Sequence, residues 1–285
     1  MSKTVLITGA SSGIGAATAK YFWQKGWNVS ATMRSEAMPL GLSPEKAKTW
    51  TQASRVICPY LDVTDSKTIA SAISETLDRF KQIDVLVNNA GYALMGSLEG
   101  TTSEQLERQF ETNVFGLIST IKALLPIFRQ QRGGTIINVA SIGGRLAFPL
   151  TSCYHSTKWA VEGLSESLRY ELERDRIRVK IIEPGGIKTN FIHRGIVWAT
   201  HPNYTDMVER VRDFMEKIDD SLPEPLGVAK TIYRAAEDRS GKLRYSPYGE
   251  AFLILHKILP DRIWRSLVAN MMLGKNKWLP TFLKW

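Results

Sequence analysis

The sequence predicts an α/β protein in which one doubly wound parallel sheet is covered by helices on both faces. Short β-branched runs alternate with longer stretches of helical period, the signature of βαβ units. The strand-like runs are also apolar almost throughout, where strands with one wet face would alternate. Residues 4–8 open the series and lead into a helix from about Ile14; residues 28–32 follow, then residues 56–61 with a helix from about Ser66, then residues 84–87, 135–139 and 179–182. Ser103 reads as an N-cap with Glu104 in the first turn, and the amphipathic stretch behind it reaches about Gln131. The connection from Arg34 to Ala53 is long enough to hold a short helix starting at Ser43-Pro44-Glu45. After Pro184-Gly185 the chain is less strand-like and carries apolar aromatic patches, so residues 186–226 read as an insertion over the C-terminal edge of the sheet. No linker divides the chain. Residues 1–250 read as one domain that includes this insertion, and residues 251–285 as a basic, Trp-containing helical extension.

Composition narrows the function classes. With 285 residues, 44% hydrophobic and 23% charged, disorder and collagen are excluded. Two cysteines, Cys58 and Cys153, cannot build a disulfide scaffold and read as free thiols. Neither a CxxC nor an HExxH spacing occurs, so no metal site is expected. No run reaches the roughly 18 apolar residues of a membrane span, and Val5-Leu6-Ile7 is too short for a signal-peptide core, so a cytoplasmic location is expected. The net charge of +9 suits an anionic partner: a phosphorylated cofactor, nucleic acid or an acidic lipid surface. No nucleic-acid-binding motif accompanies it, and no nucleic-acid partner is expected.

The most informative motif is Thr8-Gly9-Ala10-Ser11-Ser12-Gly13-Ile14-Gly15, between the first strand and the first helix. Gly9 permits a sharp turn, Gly13 lets backbone approach a pyrophosphate, and Gly15 lets helix and sheet pack closely; the helix N-terminus adds free N–H groups and partial positive charge. A tight turn that binds nothing is the rival reading, and three glycines at this spacing count against it.

With that turn, the chain resembles the classical short-chain dehydrogenase/reductase family from about Lys3 to Tyr245. The other motifs fall in the family's order: Leu61-Asp62-Val63, Asn88-Asn89-Ala90-Gly91, Asn113, Ser141, Tyr154 with Lys158, then Pro184-Gly185 and Thr189. The resemblance implies a Rossmann-type sheet in the order 3-2-1-4-5-6-7 and reversible alcohol/carbonyl oxidoreduction. It implies a catalytic set of Asn113, Ser141, Tyr154 and Lys158. It also implies cofactor contacts at Gly9, Ser11, Ser12, Gly13, Ile14, Gly15, Asp62, Val63, Asn89, Ala90, Gly91, Tyr154, Lys158, Pro184, Gly185, Ile187 and Thr189, and a homodimer or homotetramer.

Residue chemistry agrees with these roles. Tyr154 and Lys158, four apart in a helical pattern, share one face, and a nearby cation favours the phenolate of a tyrosine whose ordinary pKa is ~10. Ser141 ends a strand, where a polar group can meet the oxygen on which charge develops. It lacks the Gly-x-Ser-x-Gly surroundings of a nucleophile, and His155 should point to another face. Asn113 lies mid-helix, where asparagine is a weak former; in the family the matching residue kinks the helix and binds a water linking Lys158 to solvent. Asn89 either contacts cofactor or ties neighbouring strands. Where an NAD enzyme places an acid, this chain reads Met33-Arg34-Ser35, so Arg34 is expected to meet a 2′-phosphate, favouring NADP(H) over NAD, with Glu36 the only nearby acid.

Tyr92, Leu94, Met95, Leu146, Phe148, Phe191, Ile192, Val197 and Trp198 are expected to wall an apolar pocket for a lipophilic small-molecule substrate, an alcohol or ketone of steroid, retinoid or long-chain kind. In the tail, Ile263, Trp264, Leu267, Val268, Met271 and Met272 share one helical face. Lys257, Arg262, Arg265, Lys275, Lys277 and Lys284 stand against Asp261 alone, a local charge of +5. That face either covers the pocket, makes a subunit contact or gives peripheral contact with an anionic membrane. Two other readings remain: a non-catalytic NADP(H) sensor, disfavoured by the intact catalytic set, and an extended relative acting on nucleotide sugars, disfavoured by the glycine spacing.

Overall fold

The computed structural model describes residues 2–34, 55–189, 191 and 195–274. The helix start at Ser43-Pro44-Glu45, together with Ser35, Glu36, Ile192, Lys275, Lys277 and Lys284, lies outside the described residues.

The main sheet is built from β1 (Thr4–Ile7), β2 (Asn28–Ala31), β3 (Val56–Ile57), β4 (Val85–Asn88), β6 (Gly134–Val139), β7 (Ile177–Ile182) and β9 (Arg244–Tyr245), with β5 (Ala93–Gly96) and β8 (Ile196–Ala199) set apart. Its order is β3-β2-β1-β4-β6-β7-β9, all parallel. Counted within that sheet, this is the expected 3-2-1-4-5-6-7. β3 stops at Ile57, short of the expected Leu61, and only an isolated bridge between Met33 and Tyr60 continues the pairing.

Every residue of β1 is buried, since helices cover both faces. On one face, α1 (Gly13–Gln24) sets Ala16, Ala19 and Phe22 against Val228, Ile232 and Ala235 of α7 (Leu226–Glu237). On the other, α2 (Ser66–Phe80), α4 (Gly116–Gln130) and α5 (Ser152–Leu172) meet strand residues Leu6, Leu86 and Ile136. In α4, Leu117, Ile121, Leu124 and Phe128 make the inward row at helical spacing.

The long helix expected up to Gln131 is α3 (Ser103–Phe110), a π turn (Glu111–Phe115) and α4 in succession. Its N-cap is Thr102, one residue before the expected Ser103. Thr102 Oγ1 accepts from Gln105 N at 3.2 Å, and Gln105 Oε1 accepts from Thr102 N at 3.0 Å. That reciprocal capping box fixes the start where Ser103 alone could not.

The small parallel sheet pairs Ala93 with Ile196 and Gly96 with Ala199. It anchors the post-β7 segment beside the motif that follows β4. α6 (Thr205–Asp219) packs below α9 (Asp261–Leu273), which follows α8 (Glu250–Ile258). The tail face is split: Trp264, Val268 and Met272 are buried, whereas Ile263, Leu267 and Met271 are 49%, 45% and 38% exposed. Adjacent rows on a helix point about 100° apart, so one packed neighbour takes only one of them.

Gly96 has φ +130°, and a Cβ there would collide with Ala199 O across the small sheet. Gly96→Ala should destabilise the protein by ~1–3 kcal/mol, read as a lowered thermal midpoint.

Candidate active site

Loops leaving the C-terminal ends of β1, β2, β3, β4, β6 and β7 carry all the expected site residues outside the helices, and the strand order reverses between β1 and β4. The first of these loops is welded to the fourth strand. Asn89 Nδ2 donates to Thr8 O at 3.0 Å and Gly9 O at 2.9 Å, and Thr8 Oγ1 accepts from Asn89 N and Ala90 N at 3.0 and 3.1 Å. The Asn89 side chain thus ties the first loop to the fourth strand. Gly9, at φ +68°, lies so close to Ala90 that a Cβ would sit 2.8 Å from its Cα. A Cβ on Gly15 would collide with Gly9 O and Asn89 Nδ2. Ser12 caps α1 with extended backbone but no side-chain hydrogen bond, so no side chain of its own competes for the helix N-terminus.

The rim of this turn is built from the other loops. A Cβ on Gly13 would lie 3.3 Å from Thr189 Cβ, and Thr189 Oγ1 accepts from Phe191 N at 3.2 Å. Pro184 O accepts from Ile142 N, and Gly185 N donates to Pro247 O at 3.0 Å, which pins the loop after β7; Ile187 beyond it is buried. Asp62 Oδ1 accepts from Thr64 N and Thr64 Oγ1 at 2.9 and 2.8 Å, while Val63 is buried against Gly116. Arg34, just past β2, is exposed.

Asn113 is buried in the π turn, where the local helix widens. Its Oδ1 accepts from Tyr92 N at 3.1 Å, and its Nδ2 donates to Tyr92 O at 2.9 Å and to Thr157 Oγ1 at 3.2 Å. The side chain thus ties the turn after Gly91 to α5, the helix bearing Tyr154 and Lys158. Ser141 leaves β6 and caps a short turn, its Oγ accepting from Gly143 N at 3.0 Å, and it lies near enough to the Tyr154 phenol to lower its pKa. Lys158 Nζ donates to Val139 O at 2.9 Å and lies 5.7 Å from the Tyr154 ring centre. Ser141, Tyr154 and Lys158 are therefore brought together.

Burial governs the charges here. It pushes the Tyr154 phenol up to about 12, against a smaller lowering by Ser141, and brings the Lys158 ammonium down to about 8, against a raising by Glu162. The sequence expectation of a lysine lowering the tyrosine thus meets a stronger opposing cause, desolvation of both groups.

Around Tyr154 lies an apolar cluster that includes Met95, Ile142, Leu146, Phe148, Phe191 and Trp198, with Trp264, Val268 and Met272 from α9. Three expected wall residues are elsewhere: Tyr92 and Leu94 pack with Cys153 and Ala199, and Val197 is exposed. Alternation along β5 and β8 sends neighbours to opposite faces.

His155 has a structural part that the sequence did not show. Its ring is buried 5.7 Å from the Tyr154 ring centre and 5.6 Å from that of Phe148, and its Nδ1 accepts from Phe148 N at 3.4 Å. It holds the loop between Ser141 and Tyr154. Reading the helix face alone missed this, because the loop folds back over α5.

A model of the short chain dehydrogenase family matches residues 3–195. The uncharacterised oxidoreductase YusZ of Bacillus subtilis is 36% identical over 279 residues, 95% of this chain and 98% of that protein. A 3-ketodihydrosphingosine reductase of Bacteroides thetaiotaomicron is 36% identical over 265 residues, 91% of this chain and 94% of that one. Among solved structures, a short-chain dehydrogenase from Streptomyces avermitilis superimposes with TM-score 0.77 at 33% identity, covering 95% of this chain and 97% of its own. ElxO with NADP bound gives TM-score 0.72 at 31% identity, covering 88% and 100%. The chain belongs to the short-chain dehydrogenase/reductase family, and is an oxidoreductase of that family.

Burial also holds the His155 imidazole down at about 4. A histidine depressed below its unfolded value near 6.5 gives stability that is full above that value and is lost as pH falls toward 4, up to about 3 kcal/mol. Thermal midpoints between pH 7.5 and 4.5 should fall steeply for the native protein, and His155→Gln, though less stable at neutral pH, should show a flatter decline.

Proposed function

We propose that the protein is an NADP(H)-dependent oxidoreductase that interconverts a lipophilic alcohol and its ketone or aldehyde, of steroid, retinoid or long-chain type. The observation that carries this reading is the meeting of Ser141, Tyr154 and Lys158 beside an apolar cluster at the C-terminal edge of the sheet. Two relatives support it: one is named for reducing a keto group of dihydrosphingosine, and ElxO was solved with NADP and with NADPH.

The turn residues fit the cofactor. A Cβ at Gly9 or Gly15 would fill the space that backbone needs there. Gly9, Ser11, Ser12, Gly13, Ile14 and Gly15 would hold the pyrophosphate, and Arg34 the 2′-phosphate. Asp62 and Val63 would meet adenine; Asn89, Ala90, Gly91, Pro184, Gly185, Ile187 and Thr189 would flank the nicotinamide half. A bound nicotinamide cofactor supplies the hydride in reduction and takes it in oxidation.

Tyr154 carries the proton. As a half-buried phenol raised by desolvation it is a donor at neutral pH, suited to protonate the oxygen of a carbonyl undergoing reduction. Ser141 Oγ orients that oxygen. Lys158 in its ammonium form offsets phenolate charge once the proton has left and binds the nicotinamide ribose. Asn113 keeps α5 in register with the turn after Gly91. The cluster formed by Met95, Leu146, Phe148 and Trp198 binds carbon and excludes water.

Tyr154→Phe should reduce turnover of lipophilic ketones with NADPH to a few per cent or less while cofactor affinity, followed by NADPH fluorescence, changes little. Retention of most of the rate would remove Tyr154 from its role. NADPH should bind more tightly than NADH, and Arg34→Ala should cost ~1.5–3 kcal/mol of NADPH affinity with NADH unaffected; equal affinities in the native protein would reassign the cofactor.

A further inference from the structure

One turn along α5 from Lys158 lies an ion cluster, two of its acids buried, that the family motifs do not include. Glu162 stands one turn after Lys158 on α5 and is 4% exposed; Glu183, the last residue before Pro184-Gly185, is 1% exposed. Both reach one guanidinium: Arg244 Nε lies 3.0 Å from Glu162 Oε2 and 3.3 Å from Glu183 Oε1. Arg244 Nη2 also holds Glu166 Oε2 at 2.6 Å, Arg145 Nη1 lies 3.2 Å from Glu183 Oε1, and Ser246 Oγ donates to Glu183 Oε2 at 2.5 Å. The cluster joins α5 to the loop after β6, the end of β7 and the start of β9.

Two features tie it to the reacting groups. A Cβ on Gly144 would lie 2.8 Å from Glu162 Cγ and 2.9 Å from Lys158 O, so the turn that begins at Ser141 rests directly on the Lys158–Glu162 turn of the helix. The second is the charge count. Three carboxylates, Glu162, Glu166 and Glu183, face two guanidiniums, Arg145 and Arg244, with Arg169 a further cation acting on Glu166, and Lys158 stands one turn before Glu162 on the same helix. Glu162 Oε1 has no hydrogen-bond partner among the described residues, so Arg244 compensates only one of its oxygens.

We propose that Glu162 is a positioning residue for the reaction: its carboxylate, locked on Arg244 beside Glu183, holds Lys158 in its ammonium form and seats the Ser141 turn on the same helix. Its consequence for turnover rests on the roles given above to Lys158 and Tyr154. The groups facing Glu162 are Lys158 and Glu166 from its own helix, Arg145 from the loop after β6, Glu183 from β7 and Arg244 from β9. Burial and the Glu183 charge push Glu162 up to about 7, with Arg244 opposing, so its charge appears as pH passes neutrality. Lys158, brought by burial to about 8, needs that support in the same range. A negative neighbour favours the ammonium, so removing it lowers the lysine further.

The test follows the Lys158 Cε resonance by NMR in full-length 13C-lysine protein with NADP bound, assigned by its loss in Lys158→Arg. Glu162→Gln should lower the Lys158 midpoint by ~0.5 unit or more, and the alkaline limb of the pH–rate profile should move down with it. Glu162→Asp keeps the charge and should restore most of the midpoint, even if looser packing lowers the thermal midpoint. An unmoved Lys158 midpoint in Glu162→Gln, or the same shift in Glu162→Asp, would overturn the proposal and leave a structural ion cluster. Absence of turnover in the native protein would overturn the proposed function instead, since the NMR titration judges Glu162 without a substrate.

Discussion

The site depends first on one close approach: the glycine turn after β1 is pressed against the loop after β4. Asn89 supplies two donors to carbonyls of that turn, and Gly15 leaves no room for a side chain between them. Those carbonyls face inward with no helix or sheet partner, and a buried carbonyl left unpaired costs ~1–3 kcal/mol. Satisfying them from Asn89 fixes where α1 begins, and so where its N–H groups point. The strand order reverses at this place, between β1 and β4. Every later loop at this edge is positioned relative to a turn that cannot shift.

The second constraint is electrostatic. α5 carries Tyr154, His155, Lys158 and Glu162 within two turns, all touching buried surroundings. Desolvation pushes each toward its neutral form, raising the acids and lowering the bases. The neutral imidazole of His155 accepts a backbone hydrogen bond, which the imidazolium could not do. The helix is thereby a rigid carrier of groups whose charge is set by their neighbours, and Asn113 fastens it to the opposite wall through Thr157.

The parallel strands and the shared face of Tyr154 and Lys158 were legible from short local signals, apolar runs, a glycine turn and a four-residue spacing, while the sheet order and the part played by Ser141 came through the family resemblance those motifs carry. The small sheet was not legible. Ala93–Gly96 and Ile196–Ala199 are each four residues long, and only their pairing across the chain makes them strands. The cap at Thr102 was missed for a related reason, since Ser103 and Thr102 are both good caps and the reciprocal bond with Gln105 decides between them. Glu162 was readable as an i, i+4 partner of Lys158, but its importance comes from Arg244 and Glu183, 82 and 21 residues away in the chain. A split of the tail face into buried and exposed rows is likewise a tertiary fact, set by which neighbour α9 meets.

Burial also bears on direction. A proton donor is needed when a carbonyl becomes an alcohol, and a proton acceptor when the alcohol becomes a carbonyl. A phenol held at about 12 is overwhelmingly protonated at neutral pH, the form that reduction consumes. In the proposed mechanism oxidation would first create a phenolate within an apolar cluster, beside Lys158, itself brought down to about 8. The charge on Lys158 therefore matters more to oxidation than to reduction. On the roles proposed above, the protonated phenol suits the reductive step at neutral pH, and the oxidative step would draw on the ammonium of Lys158 to offset the phenolate.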